Sequence, residues 1–187
     1  MRWRGQRRAG QLRAFVVVAT VATWAIAASA HAEPVVVTEQ PDHTTQATIT
    51  VDASPEEVYR VATDYAHWPT VLGDVTALTI QRGGRRDARV KFRSKALGNV
   101  VSIQCDNEPD RAIKFRGVDG PPGSHAAGEY RLEPIADGRT RITATFKLHA
   151  SGIARLFIKG STVDRMRRAK VESDLGDLAR WFARDRE

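Results

Sequence analysis

The chain has 187 residues, 42% of them hydrophobic and 27% charged, with 29 basic against 22 acidic side chains and a formal net charge of +7. That length holds one domain with a substantial core. Its only cysteine, Cys105, excludes an intramolecular disulfide and a multi-cysteine zinc site.

Arg2, Arg4, Arg7, Arg8 and Arg13 form a basic start, Ala14 to Ala30 an apolar run, and Ala30-His31-Ala32 a small-x-small cleavage site. This is the layout of a secretory signal peptide over residues 1–32. A retained membrane anchor would fit the apolar length but not the small-residue exit. Arg7-Arg8 suggests the twin-arginine route, yet Ala9-Gly10-Gln11 match that motif poorly, so Sec and Tat export are both compatible. Cleavage after Ala32 removes five of the 29 basic residues and none of the 22 acids, leaving 24 (29 − 5) against 22, a net charge of +2. The expected location is the periplasm or the exterior, and nucleic acid is set aside as a partner.

Residues 33–45 carry Pro34 and Pro41 and no helical period, and read as a flexible tether in which Val35-Val36-Val37 could add an edge strand. The ordered domain is expected over 46–187. Ala47, Ile49 and Val51 alternate with Thr48, Thr50 and Asp52, a half-buried strand. A helix follows, with Ser54 as N-cap, Pro55 in the first position and Glu57 completing a capping box before Val58, Val61 and Ala62. Asp64 to Trp68 form its last turn or a second short helix, and Pro69 is expected to close the region.

From Asp74 to Ala150 turn chemistry at Gly83-Gly84, Gly98-Asn99, Pro109-Asp110, Pro121-Pro122-Gly123 and Asp137-Gly138 separates six antiparallel strands. Val90 and Phe92, Ile113 and Phe115, Tyr130 and Leu132, and Ile142, Ala144, Phe146 and Leu148 each alternate with polar residues, which means one covered face and one wet face. Ser161 to Asp185 then reads as one long helix, with Ser161 and Asp164 placed for a capping box and Gly160-Ser161 as a break before it. Val163, Val171, Leu175, Leu178, Trp181 and Phe182 form its apolar stripe, and Arg167 and Asp174 sit inside that stripe. The predicted fold class is α+β: a curved seven-stranded antiparallel sheet wrapped around the long C-terminal helix, with one or two short helices after the first strand.

Strand Ala47 to Val51, the run Ser54-Pro55-Glu56-Glu57-Val58-Tyr59, then Thr63-Asp64-Tyr65 to Trp68-Pro69, the meander and the terminal helix resemble the START-like helix-grip superfamily (SRPBCC). Within it the chain is most similar to the polyketide cyclase/dehydrase and lipid-transport group, related to the coenzyme Q-binding proteins. The resemblance covers Gln46 to Arg184, and its motifs contain no catalytic group. It implies a cavity between sheet and helix, not one reaction.

No phosphate-cradling glycine loop, helical His pair or nucleophile elbow is present, so neither cofactor nor metal is expected. His43, His67, His125 and His149 stand singly. Cys105 is in phase with Val101 and Ile103 and reads as a small buried hydrophobe rather than a reactive thiol. Arg89, Lys91, Arg93 and Lys95 read as a solvated strand face, with transient contact to an acidic membrane as the functional alternative. Phe92, Ile103, Phe115, Tyr130, Leu132, Phe146, Val171 and Leu178 face the interior, where they either close a solid core or line a pocket. Arg167, Asp174, Tyr130 and Ser94 would be the polar groups of such a pocket, Arg167 needing a partner, a ligand oxygen or a route to water for its charge. The expected function is a binding or carrier protein for a hydrophobic small molecule or lipid. The alternatives are a cyclase/dehydrase-type enzyme using the same cavity and a partner-binding module without ligand.

Overall fold

The computed structural model describes residues 34–40, 44–119, 124–150 and 160–184. Residues 1–32, expected to be a signal peptide, and the expected turn at Pro121-Pro122-Gly123 lie outside the described residues. Eight strands, β1 (Val36–Glu39), β2 (Thr44–Val51), β3 (Val75–Arg82), β4 (Asp87–Ser94), β5 (Asn99–Glu108), β6 (Ala112–Asp119), β7 (Ser124–Pro134) and β8 (Thr140–Ala150), form one open antiparallel sheet. Its order is β1-β2-β8-β7-β6-β5-β4-β3. Between β2 and β3 come α1 (Pro55–Ala62), a 3-10 turn (Tyr65–His67) and α2 (Trp68–Val71), and α3 (Gly160–Arg184) ends the described chain.

The alternation read from the sequence is the alternation of the sheet. Ala88, Val90 and Phe92 are buried on β4 while Lys91 and Arg93 are exposed, and Ile142, Ala144 and Phe146 are buried on β8. The turns that divide the strands use left-handed backbone at Asp110, Asp137, Gly98 and Gly138, residue types that tolerate it. Helix α1 starts as its sequence dictates. Glu57 N–H donates to Ser54 Oγ at 3.3 Å, and Ser54 N–H donates to Glu57 Oε2 at 2.8 Å.

Four local expectations are corrected. The sheet has eight strands rather than seven, because the edge strand allowed at Val35-Val36-Val37 forms: Val36–Glu39 pairs in register with β2 (Val36↔Thr48 to Glu39↔Thr45). Thus part of the predicted tether is sheet edge, fixed by main-chain hydrogen bonds that a hydrophobicity pattern does not show. Pro69 does not close the helical region but lies in the first turn of α2, where its missing N–H leaves no bond unmade. Gly160, expected to break the chain before the helix, is already helical in α3, and the Asp164 carboxylate accepts from Arg167 Nη2 at 2.6 Å. Finally, His67 has a carboxylate partner, Asp64 at 2.9 Å, in an exposed pair.

Helix α3 packs chiefly against β2 and β8. Val163, Val171, Leu175, Leu178 and Phe182 are buried on its inner stripe, and so are the charged residues Arg167, Lys170, Asp174 and Asp177. Arg167 resolves its buried charge at the β1 edge. Its Nε donates to Thr45 Oγ1 at 3.1 Å, its Nη1 to the Leu148 carbonyl at 3.3 Å, and its Nη2 faces Asp164 and, at 3.5 Å, Glu39. It therefore fastens β1, β2 and β8 to the helix.

Because Glu39 and Asp164 remain partly open to water, loss of Arg167 leaves no fully buried carboxylate stranded. We predict that Arg167→Leu lowers unfolding stability by about 1–3 kcal/mol through lost hydrogen bonds, read by urea denaturation. A stability equal to that of the parent would contradict this assignment.

Candidate functional site

Between the dry face of the sheet and the helices lies a cavity of about 60 Å³. Strands β4 to β8, α1, α2 and α3 all contribute to its wall. Trp68 meets Phe92 edge-on with ring centroids 5.7 Å apart, and Phe115 lies against Tyr130 (5.7 Å) and Phe146 (6.0 Å). The Trp68 indole N–H is already satisfied by the Ala62 carbonyl at 2.9 Å. Gly128 makes the position of Phe115 attainable: a Cβ there would stand 2.3 Å from Phe115 Cζ and 2.6 Å from the Thr145 carbonyl oxygen. A side chain at residue 128 would force that ring to move.

Of the interior residues read from the sequence, Phe92, Ile103, Phe115, Tyr130, Leu132, Phe146, Asp174 and Leu178 line this cavity, as does Cys105. Arg167 and Val171 do not. Arg167 is taken up by the β1 clasp, and Val171, though 2% exposed, belongs to the surrounding core. A helical wheel gives the angle of a side chain about the axis, not which part of a curved sheet it meets. Ser94 is buried behind the wall and serves Asp74. Burial pushes the Cys105 thiol up to about 11, an effect that a hydrogen bond with Tyr65 only partly offsets, so the thiol stays protonated near neutrality.

The polar end of the cavity is a buried cluster. Lys170 Nζ lies 2.7 Å from Asp174 Oδ1 and 3.0 Å from Asp74 Oδ2, and sits over the Phe92 ring at 5.7 Å. The Tyr130 hydroxyl donates to Asp174 Oδ2. Behind Lys170, Asp74 accepts from Ser94 Oγ (2.8 Å) and from the Ala96 N–H (2.6 Å), while the Leu97 N–H donates to Ser94 Oγ at 3.1 Å. Asp177, one helical turn further on, accepts from the Gly73 N–H at 2.8 Å and pairs with Arg180. The loop 73–74 is thus tied to α3 at two points.

Burial opposes the Lys170 ammonium, but Asp174 and Asp74 outweigh it and raise the pKa, so Lys170 is charged. Burial likewise opposes the Asp74 carboxylate, and there Lys170, the Ala96 N–H and Ser94 prevail and lower the pKa. At Asp174 burial wins: its pKa is raised although Lys170 and Tyr130 act against that. Burial, and next the Asp174 charge, push the Tyr130 phenol well above its ordinary value, so it remains a donor. Among the described residues no three His, Cys, Asp or Glu side chains are grouped to hold a metal.

Lys170 and Asp74 were not singled out from the sequence. Lys170 carried a signal nonetheless, standing seven residues after Val163 and four before Asp174, on the same helical stripe. Asp74 had none, since its partners are 20 or more residues away.

A family profile described as "Polyketide cyclase / dehydrase and lipid transport" matches residues 42–182. The chain belongs to that family. The helix-grip architecture of the family is seen in solved structures with the same fold. A protein of Thermus thermophilus matches with a TM-score of 0.65 at 20% identity, over 77% of this chain and 99% of that one. The Zhui aromatase/cyclase of a Streptomyces species matches with 0.63 at 21% identity, over 77% and 95%. A START superfamily protein of Mycobacterium smegmatis matches with 0.62 at 14% identity, over 75% and 97%. In sequence, the granaticin polyketide synthase bifunctional cyclase/dehydratase of Streptomyces violaceoruber is 29% identical over 116 residues, 59% of this chain and 36% of that protein. The family member described here therefore aligns with little more than a third of that relative.

The cluster predicts a pH signature. Lys170→Met leaves two buried carboxylates without their cation, at a cost of about 3–5 kcal/mol near pH 8. Lys170 lowers the pKa of both Asp74 and Asp174, so in the variant both folded-state values rise, and that of Asp174, already raised, moves further above its unfolded value. An acid with a raised folded pKa favours the folded state below that pKa and loses the contribution as pH rises through it. The stability deficit of Lys170→Met should accordingly shrink from pH 8 toward pH 4. A deficit independent of pH would contradict the described ion pairs.

Proposed function

We propose that the protein binds a hydrophobic small molecule or lipid in this cavity and acts after export, in the periplasm or outside the cell. The observation that carries the reading is an interior cavity walled by apolar and aromatic side chains, with Tyr130, Lys170 and Asp174 converging at one place on its wall. Export rests on the basic, apolar and small-residue layout of residues 1–32. At about 60 Å³ the cavity has room for only a few water molecules. Pockets for drug-sized ligands run to roughly 300–1,000 Å³, so a ligand of that size must part the walls.

A second reading, a cyclase- or dehydrase-type enzyme, is favoured by one feature: a carboxylate with raised pKa accepts from a phenol beside an ammonium. Such a group can donate or receive a proton, and Lys170 can polarise a carbonyl. The name of the granaticin relative supports this reading only for the aligned part.

Organic extraction of the purified protein followed by mass spectrometry tests the binding reading. A hydrophobic compound should be recovered from the parent and be lost from Val101→Trp, which fills the cavity. Recovery from both, or from neither, would refute it. Turnover is separated from carriage by incubating the recovered compound with fresh protein. A carrier returns the same mass, whereas an enzyme yields a new one that Asp174→Asn does not.

A further inference from the structure

Among the described residues at the cavity wall, only Lys170 and Asp174 carry charge, and Asp74 stands directly behind Lys170. Two carboxylates therefore share one ammonium. With Asp174 ionised, the cluster has one net negative charge; with Asp174 protonated, it has none. In neither state is there a positive charge left over to match an anionic ligand, and burial makes an unmatched charge costly.

The hydrogen-bonding capacity is equally one-sided. An ammonium has three donors; among the described residues the two carboxylates pair with Lys170 Nζ, which also lies over the Phe92 ring and on the cavity wall. One N–H is thus available for an oxygen inside the cavity. Asp174 is already occupied on both oxygens, by Lys170 and by Tyr130. A ligand oxygen could accept from Lys170 and lie close to the Tyr130 hydroxyl.

From this charge count we infer that the cavity selects neutral hydrophobic molecules bearing a hydrogen-bond-accepting oxygen, held by Lys170, and discriminates against free fatty acids and other anionic amphiphiles. Asp74, which does not line the cavity, is the positioning residue that sets the discrimination by neutralising Lys170 from behind. Its own supports, Ser94 and the Ala96 N–H, hold it in place. The inference deepens the ligand-binding reading and rests on it.

The test uses the purified protein at pH 7.5 with the neutral fluorophore N-phenyl-1-naphthylamine as reporter. Methyl decanoate, decanoate and decylammonium are compared as displacing agents below their aggregation limits. The ester should displace the dye, and decanoate should need at least about tenfold more than decylammonium, an ion of equal chain length and opposite sign. Asp74→Asn removes one negative charge without touching the cavity wall, so it should narrow that tenfold gap at least about threefold. Thermal melting verifies that the variant is folded; if it is not, the parent comparison alone decides. Decanoate matching or surpassing decylammonium would overturn the inference, as would an unchanged gap in folded Asp74→Asn. Failure of the dye and all three agents to bind would instead overturn the ligand-binding reading itself.

Discussion

The placement of one buried ammonium between two buried carboxylates constrains much of the interior. Lys170 keeps its charge on the inner stripe of α3 through Asp74 and Asp174, because burial opposes that charge and each carboxylate favours it. Meeting Asp74 requires the residues before β3 to approach the helix, and Asp74 in turn takes the Ser94 hydroxyl from the end of β4 and the Ala96 N–H from the turn that follows. Meeting Asp174 brings in Tyr130 from the middle of β7. Four separate stretches of chain thus converge on one ion cluster. The hydrophobic contacts around them are strong but non-directional; the cluster supplies direction.

Much of this architecture was legible in the sequence. Period-two alternation assigned the faces of β2, β4, β6, β7 and β8, and the turn residues divided the strands where the structure divides them. These features are local, and local geometry is what residue order encodes most directly. The edge strand β1 was harder to read, being four residues long and held mainly by main-chain bonds. Pro69 was misplaced because proline both stops helices and opens them, and the sequence does not distinguish the two.

The candidate site was legible only in part. Apolar positions such as Phe92, Ile103, Phe115 and Leu132 follow from alternation alone, and they line the cavity. The charged positions divide differently. Arg167 and Asp174 are separated by two helical turns, and the sheet beneath them offers the edge near Thr45 to one and Tyr130 to the other. That difference depends on strand order and curvature, so Arg167 becomes a structural clasp while Asp174 becomes part of the cavity. Family membership supplies the fold and a range of activities, and the choice among them belongs to the site.

The proposed function requires a hydrophobic ligand to occupy the space between sheet and helix. Val100 and Val101 allow the most direct measurement, since they are consecutive on β5 yet face opposite ways: Val100 is 43% exposed and Val101 lines the cavity. Methyl-labelled protein titrated with methyl decanoate should show shifts and ligand contacts at Val101, Leu97, Leu132 and Leu178, with Val100 unmoved. Shifts confined to Val100 and other outer methyls, or none at saturation, would mean that the ligand does not enter this space.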